Sequence, residues 1–400
     1  MIKKEKKRVP ELRFPEFHED WVTDRTDHFL VRYVNAVSVQ LEKKYKQIGI
    51  RSHGKGIFHK DPVTGEALGN KRVYWVHPEV FTVNIVFAWE QAVALTSSDE
   101  EGYIASHRFL MFLPKENRVD LKFVLLFFLR RRGKYLLELA SPGGAGRNKT
   151  LGQESFAELE ITLPQKEEQE KIASFLGAVD TRLNQLRRKR ELLQTYKRGV
   201  MQKFFSQEIR FKGAIGSEFP DWETKNFGDM ATKISSKYNP ITDDNNYPCI
   251  ELESIEPNTG RLIKIFDSLE QQSIKSKFRT DDVLFGKLRP YLRKFVLTEF
   301  EGVCSTEIWV LRGKRISSKY LYYLVQSHEF YKISNVSFGS KMPRSDWDFV
   351  SSFSFEFPCK KEQQKIVDFL AAIERKIEAL SRQIDQTEQF KKGLLQKLFV

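Results

Sequence analysis

A chain of 400 residues is longer than one ordinary domain, and at roughly 100–200 residues per domain we expect two to four. With 40% apolar and 30% charged residues the composition is typical of a globular protein and excludes a disordered chain. The net charge of +13 makes nucleic acid or another acidic partner a first hypothesis. Three cysteines without a CxxC pair exclude a disulfide framework and favour a reducing compartment.

The N-terminal residues 1–8 are basic, but acidic residues follow where an export signal would need an apolar stretch. The longest apolar run, 123–129, is far too short to cross a bilayer. We therefore expect a cytoplasmic protein.

Residues 1–163 form a first block whose patterns predict a mixed α+β domain. The alternating run 81–87 predicts a strand, 120–140 predicts a helix, and a glycine-rich turn follows at 143–146. Arg can read guanine edges and Lys can hold phosphates, so we expect basic side chains in loops to contact nucleic acid, with solvated surface charges as the alternative for each. The candidates in this block are Lys43, Lys44, Arg51, His53, Lys55, Lys60, Arg147 and Lys149.

Residues 164–207 predict one long helix. Apolar residues recur every seven positions, which is typical of a coiled coil, and Pro164 with the acidic residues after it suits a helix start. About 40 residues at 1.5 Å each make a rod on the order of 60 Å long. The positions expected in its helix–helix seam are Ile172, Val179, Leu183, Leu186, Leu193 and Val200, with Phe175 and Tyr196 among the intermediate positions.

The second block, residues 208–357, again predicts an α+β domain. Residues 318–333 predict a helix, a glycine-containing turn follows at 338–340, and the alternation at 353–357 predicts a strand. In one of its loops basic residues alternate with an aromatic residue. The residues expected to contact nucleic acid in this block are Lys287, Arg289, Tyr291, Arg293, Lys294, Lys341 and Arg344.

The last segment, 358–400, repeats the first helix without a gap at an offset of 194 residues. The chain is therefore a tandem duplication whose blocks diverged more than its helices. The expected seam positions are Ile366, Ile373, Ile377, Leu380, Ile384 and Leu394, with Phe390 in an intermediate position. Two matched rods favour burial of one stripe against the other; the alternative is two amphipathic helices that each pack on their own block.

No catalytic or metal-binding motif is apparent. The glycine-rich turn lacks the glycine that a phosphate-binding loop places before Lys-Thr, and His53 and His59 are the nearest histidine pair, without accompanying cysteines. The sequence predicts a binding protein with no catalytic residues.

With two divergent blocks, each followed by a matched long helix, the whole chain resembles the specificity subunit of Type I restriction-modification systems. The carrying motifs are the helix openings Pro164-x-x-Glu-Glu-Gln and Pro358-x-x-Lys-Glu-Gln and the endings Tyr196-Lys-Arg-Gly and Phe390-Lys-Lys-Gly. Segments 10–15 and 281–290 are similar to that family's target-recognition domains.

The resemblance implies two α/β target-recognition domains, 1–163 and 208–357, separated by two antiparallel helices, 164–207 and 358–400, with a pseudo-two-fold repeat. Each domain is then expected to read one half of a bipartite double-stranded DNA site and to direct adenine methylation or cleavage by partner subunits. Two methyltransferase subunits and restriction-translocase subunits are the expected partners. They are expected to carry S-adenosylmethionine, ATP and Mg²⁺, and this chain none.

Two other functions stay open at this stage: a stand-alone DNA-binding or coiled-coil scaffold protein, and an enzyme with an unfamiliar site. A scaffold protein would not co-purify with a methyltransferase subunit. An enzyme would methylate or cleave DNA as the purified chain, without partner subunits.

Overall fold

The computed structural model of the chain describes residues 9–143, 149–213, 216–243, 245–336 and 342–400. The chain forms two units, each of which combines one block with segments of both long helices. The first unit contains residues 1–186 and 383–400, and the second contains residues 187–382.

The first block folds as short strands around a core of phenylalanines. Its elements are β1 (Val22–Arg25), α1 (Thr26–Phe29), β2 (Leu30–Tyr33), β3 (Lys44–Ile50), β4 (Ile57–Thr64), α2 (Gly65–Leu68), β5 (Val73–Trp75), β6 (Phe81–Asn84), β7 (Val93–Leu95), β8 (Tyr103–Ser106), β9 (Phe109–Pro114), α3 (Leu121–Leu129), α4 (Arg131–Leu139), α5 (Gln153–Ala157) and β10 (Glu160–Leu163). One sheet has the order β2-β9-β6-β7, a second has the order β4-β3-β8-β5, and β1 pairs with β10. All of these pairs are antiparallel except β3 with β8.

The second block repeats this topology with one further strand at the edge of its second sheet. The long helix α6 (Lys166–Phe205) connects the two blocks. The elements that follow are β11 (Glu223–Asn226), α7 (Phe227–Met230), β12 (Ala231–Ile234), β13 (Lys237–Tyr238), β14 (Pro248–Ile250), β15 (Phe266–Asp267), β16 (Lys275–Phe278), β17 (Val283–Gly286), β18 (Phe295–Leu297), β19 (Gly302–Ser305), β20 (Ile308–Gly313), α8 (Ser318–Leu324), α9 (His328–Ser334), α10 (Trp347–Ser352), β21 (Ser354–Phe357) and α11 (Lys360–Lys397). The sheet orders are β12-β20-β17-β18 and β13-β16-β19-β14-β15, β11 pairs with β21, and β14 pairs in parallel with β19.

Two predicted helices are each broken into two. The segment predicted as one helix at 120–140 is α3 and α4, because Arg130 between them is extended and Gly133 packs where a Cβ atom would lie 2.3 Å from the carbonyl oxygen of Phe127. The segment 318–333 is α8 and α9, since the Ser327 hydroxyl accepts a hydrogen bond from the Phe330 N–H and starts a new helix.

The two long helices pack antiparallel within each unit. In the first unit Lys391 Nζ lies 2.6 Å from Asp180 Oδ1, so the C-terminal part of α11 lies beside the N-terminal part of α6. In the second unit Lys197 Nζ lies 2.5 Å from Glu374 Oε1, in the reciprocal arrangement. These two ion pairs occupy equivalent positions of the sequence repeat.

The expected seam positions are all at least partly buried. The buried ones are Ile172, Leu183, Leu186, Ile366, Ile373, Leu380, Ile384 and Leu394, and the half-buried ones are Val179, Leu193, Val200 and Ile377. Ile172 and Leu394 also belong to the core of the first block, and Ile366 belongs to that of the second.

The intermediate seam positions were wrong for three aromatic residues, of which Phe175 is 37% exposed. Tyr196 is 52% exposed and Phe390 is 55% exposed. A straight helix of 3.6 residues per turn drifts against a seven-residue repeat, so after Leu193 the inward row continues through Lys197 and Met201. Tyr196 and Phe390 therefore lie on the outer face.

A pair of hydrogen bonds, here called a clasp, fastens the start of each long helix to the segment before the first strand of its block. In the first unit Arg13 donates from Nε and Nη2 to the Glu168 carboxylate at 2.9 and 2.7 Å. In the second unit Arg210 makes the same two bonds to Glu362 at 3.2 and 2.9 Å. Both carboxylates are buried, and the clasp is thus duplicated with the fold.

Candidate nucleic-acid interface

The basic residues of the first block lie mainly on the β3–β4 hairpin. The side chain of Arg51 stacks over the Phe58 ring at 4.8 Å, while His53 and Lys55 are exposed in the turn. Lys43 precedes β3, Lys44 is its first residue and Lys60 lies on β4, and all three are exposed. The hairpin therefore presents its charge to solvent along its whole length.

The hairpin tip docks on a 3-10 turn that spans Ala88–Glu90. The N–H of His53 donates to the carbonyl oxygen of Glu90 at 2.6 Å, and the Ser52 hydroxyl donates to the Glu90 carboxylate at 2.8 Å. On the same turn, Lys149 Nζ lies 5.5 Å from the centre of the Trp89 ring. The structure thus brings the hairpin tip and Lys149, which are distant in sequence, to one surface.

In the second block the structure gathers three of the predicted residues. Segments 287–289 and 343–345 run side by side: the N–H of Arg289 donates to the Pro343 carbonyl oxygen at 2.8 Å, and Leu288 forms a bridge with Arg344. Arg344 Nε donates to Glu307 Oε2 at 3.0 Å. Lys287, Arg289 and Arg344 therefore form one basic surface around Glu307, and Tyr291, 48% exposed, follows in the same turn.

Two predicted residues of this block point inward instead. Arg293 Nη2 donates to the carbonyl oxygen of Gln326 at 2.5 Å, and its guanidinium lies over the Tyr331 ring. Lys294 Nζ donates to the carbonyl oxygen of Leu252 at 2.5 Å. Burial lowers the pKa of both side chains, and Arg198 lowers that of Arg293 further.

The first block explains the inward position of Arg293. Its equivalent there is Gln91, which also has a left-handed backbone and ends a 3-10 turn. Gln91 Nε2 donates to the carbonyl oxygen of Phe128, at the end of the helix equivalent to the one that Arg293 reaches. Both side chains thus cap the end of a helix inside the domain.

Arg147 and Lys341 lie outside the described residues. Sequence reasoning missed Trp89 and Glu307, which organise the two basic surfaces. A full alignment of the two blocks would have placed them, because they flank segments whose backbone pairing is the same in both halves.

Within the described ranges no group of three or more His, Cys, Asp or Glu side chains could hold a metal ion. The buried thiols have raised pKa values: burial raises the pKa of Cys249 to about 12, and that of Cys304 is raised for the same reason, which disfavours a reactive thiolate. No helix among the described residues is both long and apolar enough to cross a membrane. The surface chemistry available is cationic and aromatic.

A family model described as Type I restriction modification DNA specificity domain matches residues 78–194 and 220–389. The two matches cover most of the chain and include one range in each block. The chain belongs to the Type I restriction-modification DNA specificity family.

One curated relative of this specificity subunit is similar over nearly the whole chain, and another is similar over less than half of it. It is 22% identical to the Type I restriction enzyme MjaVIII specificity subunit of Methanocaldococcus jannaschii over 97% of this chain and 95% of the relative. It is 28% identical to the HindI specificity subunit of Haemophilus influenzae over 45% of this chain and 41% of that protein.

Solved structures share the fold. The Type I restriction-modification S subunit from M. genitalium superposes with a TM-score of 0.58 at 15% identity, over 98% of this chain and 99% of that one. A chain from a study of complex assembly in the type I R-M system gives a TM-score of 0.57 at 18% identity, over 94% and 96% of the two chains. The duplicated α/β architecture with long helices is therefore that of S subunits.

Proposed function

We propose that the two blocks each read one half of a bipartite DNA site and that the chain thereby directs adenine methylation or cleavage by partner subunits. The observation that carries this proposal is the match of the specificity-domain family to both halves of a chain whose two blocks have the same topology. The exposed basic surfaces around Trp89 and Glu307 supply the positive charge that DNA phosphates require.

The chain itself has no catalytic role in this proposal. The partners are two methyltransferase subunits and restriction-translocase subunits, and these hold S-adenosylmethionine, ATP and Mg²⁺. The site of action is the cytoplasm, where the DNA lies.

The outer faces of the long helices are suited to the methyltransferase subunits. Tyr196 and Phe390 are half exposed and occupy equivalent positions of the repeat, so each helix presents one aromatic side chain at this position. Gly199 and Gly393 follow three residues later, and no atom lies within 4 Å of a Cβ placed on either. A partner helix can approach the backbone closely at both places, which fits two copies of one subunit.

The test is to express the chain with a methyltransferase subunit of its system and to sequence the modified bases of the host DNA. We expect one bipartite motif with methylated adenine in each half, which is absent when this chain is omitted. Co-purification of the two proteins is expected in the same cells.

Methylation by the purified chain alone would contradict the assignment of chemistry to the partner. A complex that methylates without sequence preference, or a chain that never co-purifies with the methyltransferase, would contradict the role in specificity.

A further inference from the structure

Both blocks contain the same small backbone frame. In the first block the N–H of Ile85 donates to the carbonyl oxygen of Arg108, and the carbonyl oxygen of Ile85 accepts from the N–H of Leu151, both at 2.9 Å. We call Ile85, Phe87, Arg108 and Thr150 the first frame. Phe87, Arg108 and Thr150 are exposed, while Leu151 is buried and anchors the frame in the core.

The second block makes the same two hydrogen bonds. The N–H of Lys287 donates to the carbonyl oxygen of Glu307, and the carbonyl oxygen of Lys287 accepts from the N–H of Ser345, again both at 2.9 Å. The second frame is Lys287, Arg289, Glu307 and Arg344. Ser345 is buried like its equivalent in the first block.

The side chains of the two frames differ at every position although the two backbone hydrogen bonds are retained. Ile85 corresponds to Lys287, Phe87 to Arg289, Arg108 to Glu307 and Thr150 to Arg344. The first frame carries one positive charge, whereas the second carries three positive charges and one negative charge. A retained pair of backbone hydrogen bonds with exchanged side chains suits two readers of different base sequences, because direct readout depends on the donor and acceptor pattern that each side chain presents.

The second frame also orients its arginine. The Glu307 carboxylate accepts the Arg344 Nε–H at 3.0 Å, which leaves both terminal nitrogens of the guanidinium available for other acceptors. Arg289 has a left-handed backbone with φ of 52°, a conformation that costs energy in a residue other than glycine and occurs preferentially at functional sites. In the first frame Arg108 is exposed, and Thr150 directly follows Lys149, whose Nζ lies 5.5 Å from the centre of the Trp89 ring.

We propose that the first and second frames are the base-reading surfaces of the two domains, placed against base edges in the major groove of DNA. Arg108 and Arg344 each donate two hydrogen bonds to a guanine, and Glu307 is a positioning residue for Arg344. The assignment rests on the proposed function, and it adds which residues of each domain determine the half site.

The test uses the assembled methyltransferase complex and duplexes that carry its bipartite motif with single base-pair changes. In Arg344→Ala we expect roughly tenfold or greater loss of discrimination at one base pair of one half site. Glu307→Gln is expected to reduce discrimination at that same base pair by a smaller factor, without a change in the salt dependence of binding. Arg108→Ala is expected to relax one base pair in the other half site only.

Matched controls are Arg132→Ala in the first block and Arg279→Ala in the second, since both side chains are exposed and lie outside the frames. Melting curves and complex assembly identify any variant that fails to fold. The double variant Arg108→Glu with Thr150→Arg gives the first frame the charged pair of the second and is expected to change the methylated bases in the first half site alone.

Several results would overturn the proposal. Folded frame variants that keep the wild-type motif at every base pair, or that weaken all duplexes equally, show that these side chains do not read bases. A wild-type complex without any bipartite motif would instead refute the proposed function, and the assignment of the frames with it.

Discussion

The two equivalent clasps differ in how many side chains donate hydrogen bonds to the buried carboxylate. Glu168 is bonded by Arg13, whereas Glu362 is bonded by Arg210 and also accepts the Trp222 Nε1–H at 3.2 Å. We expect Arg13→Ala to cost about 3–5 kcal/mol, because it leaves a buried carboxylate without its partner. Arg210→Ala should cost less, since Trp222 still donates to Glu362. Urea titration of the purified chain measures both.

The control for the clasp is Arg188→Ala. Arg188 pairs with Glu191 on the exposed face of α6, where both side chains are 64% exposed, and such pairs contribute roughly 0–1 kcal/mol. An Arg13→Ala variant as stable as Arg188→Ala would mean that water replaces the arginine at Glu168.

Arg293 is expected to affect stability and not specificity. Truncation to Ala removes the hydrogen bond to the Gln326 carbonyl oxygen and the contact with the Tyr331 ring, at a cost of about 1–3 kcal/mol. The methylated motif should stay unchanged, in contrast to Arg289→Ala. If a stably folded complex with Arg293→Ala methylated a different motif, Arg293 would have to be assigned to the DNA interface.

Sequence reasoning predicted basic residues at the surface of each block, but it could not tell which individual side chains are exposed. Arg289 and Arg293 have the same residue type, lie four positions apart and both have left-handed backbones, yet Arg289 is exposed and Arg293 is half-buried. The difference arises from the helix end that Arg293 caps, and this contact is 33 residues away in sequence. Charge and spacing contain no information on such a contact.

At the scale of elements, the buried stripe of the long helices makes a definite energetic prediction. Leu186 is 4% exposed and Leu380 is 7% exposed. We expect Leu→Ala at either position to cost about 2–5 kcal/mol through lost burial and the cavity that remains. Leu192→Ala is the control, because that side chain is 53% exposed on the same helix. Equal melting temperatures for Leu186→Ala and Leu192→Ala would argue against a packed stripe.

Substitution of the solvent-facing glycines of the long helices by alanine is expected to stabilise the chain, in contrast to the leucine substitutions. Gly199→Ala and Gly393→Ala place a methyl group in open space, so each should stabilise the isolated chain by roughly 0.5–1 kcal/mol. If a methyltransferase helix approaches there, the same changes should weaken the complex. Gly177→Ala is the control, since that helical glycine also has open space around it but no glycine at the equivalent position of the repeat. If all three variants formed the complex with the methyltransferase subunit equally well, Gly199 and Gly393 would not belong to the docking surface.

The sequence predicted the long helices well and the short elements only in part. A seven-residue period over some 40 positions is a long signal, and the structure has helices over Lys166–Phe205 and Lys360–Lys397. The break at Arg130 could not be predicted, because it depends on the packing of Gly133 against Phe127. The position of Tyr196 depends on the drift of the helix, which a fixed period does not include.

For the whole molecule, each block is closed by a ladder between its first and last strands. β1 pairs with β10 and β11 pairs with β21, so both ends of a block lie side by side. Each long helix contacts its block partly through side chains that bind backbone groups of the block. Gln169 Oε1 accepts the Asp120 N–H, and Gln363 Oε1 accepts the Ser317 N–H. Contacts to the backbone tolerate a change of sequence, which permits the blocks to diverge while the helices stay alike.

This arrangement predicts that a block can be exchanged as a module. We expect that replacing residues 208–357 by the corresponding block of another family member, with Arg210 retained for its bonds to Glu362, changes one half of the methylated motif and leaves the other half intact. Sequencing of modified bases measures both halves in one experiment. The control chimera keeps the native block but substitutes Lys287, Arg289, Glu307 and Arg344 by the residues of the donor. If the second frame determines the half site, the half site methylated with this chimera should become similar to the one obtained with the full exchange. A full exchange that alters both halves would show that the two blocks do not read DNA independently.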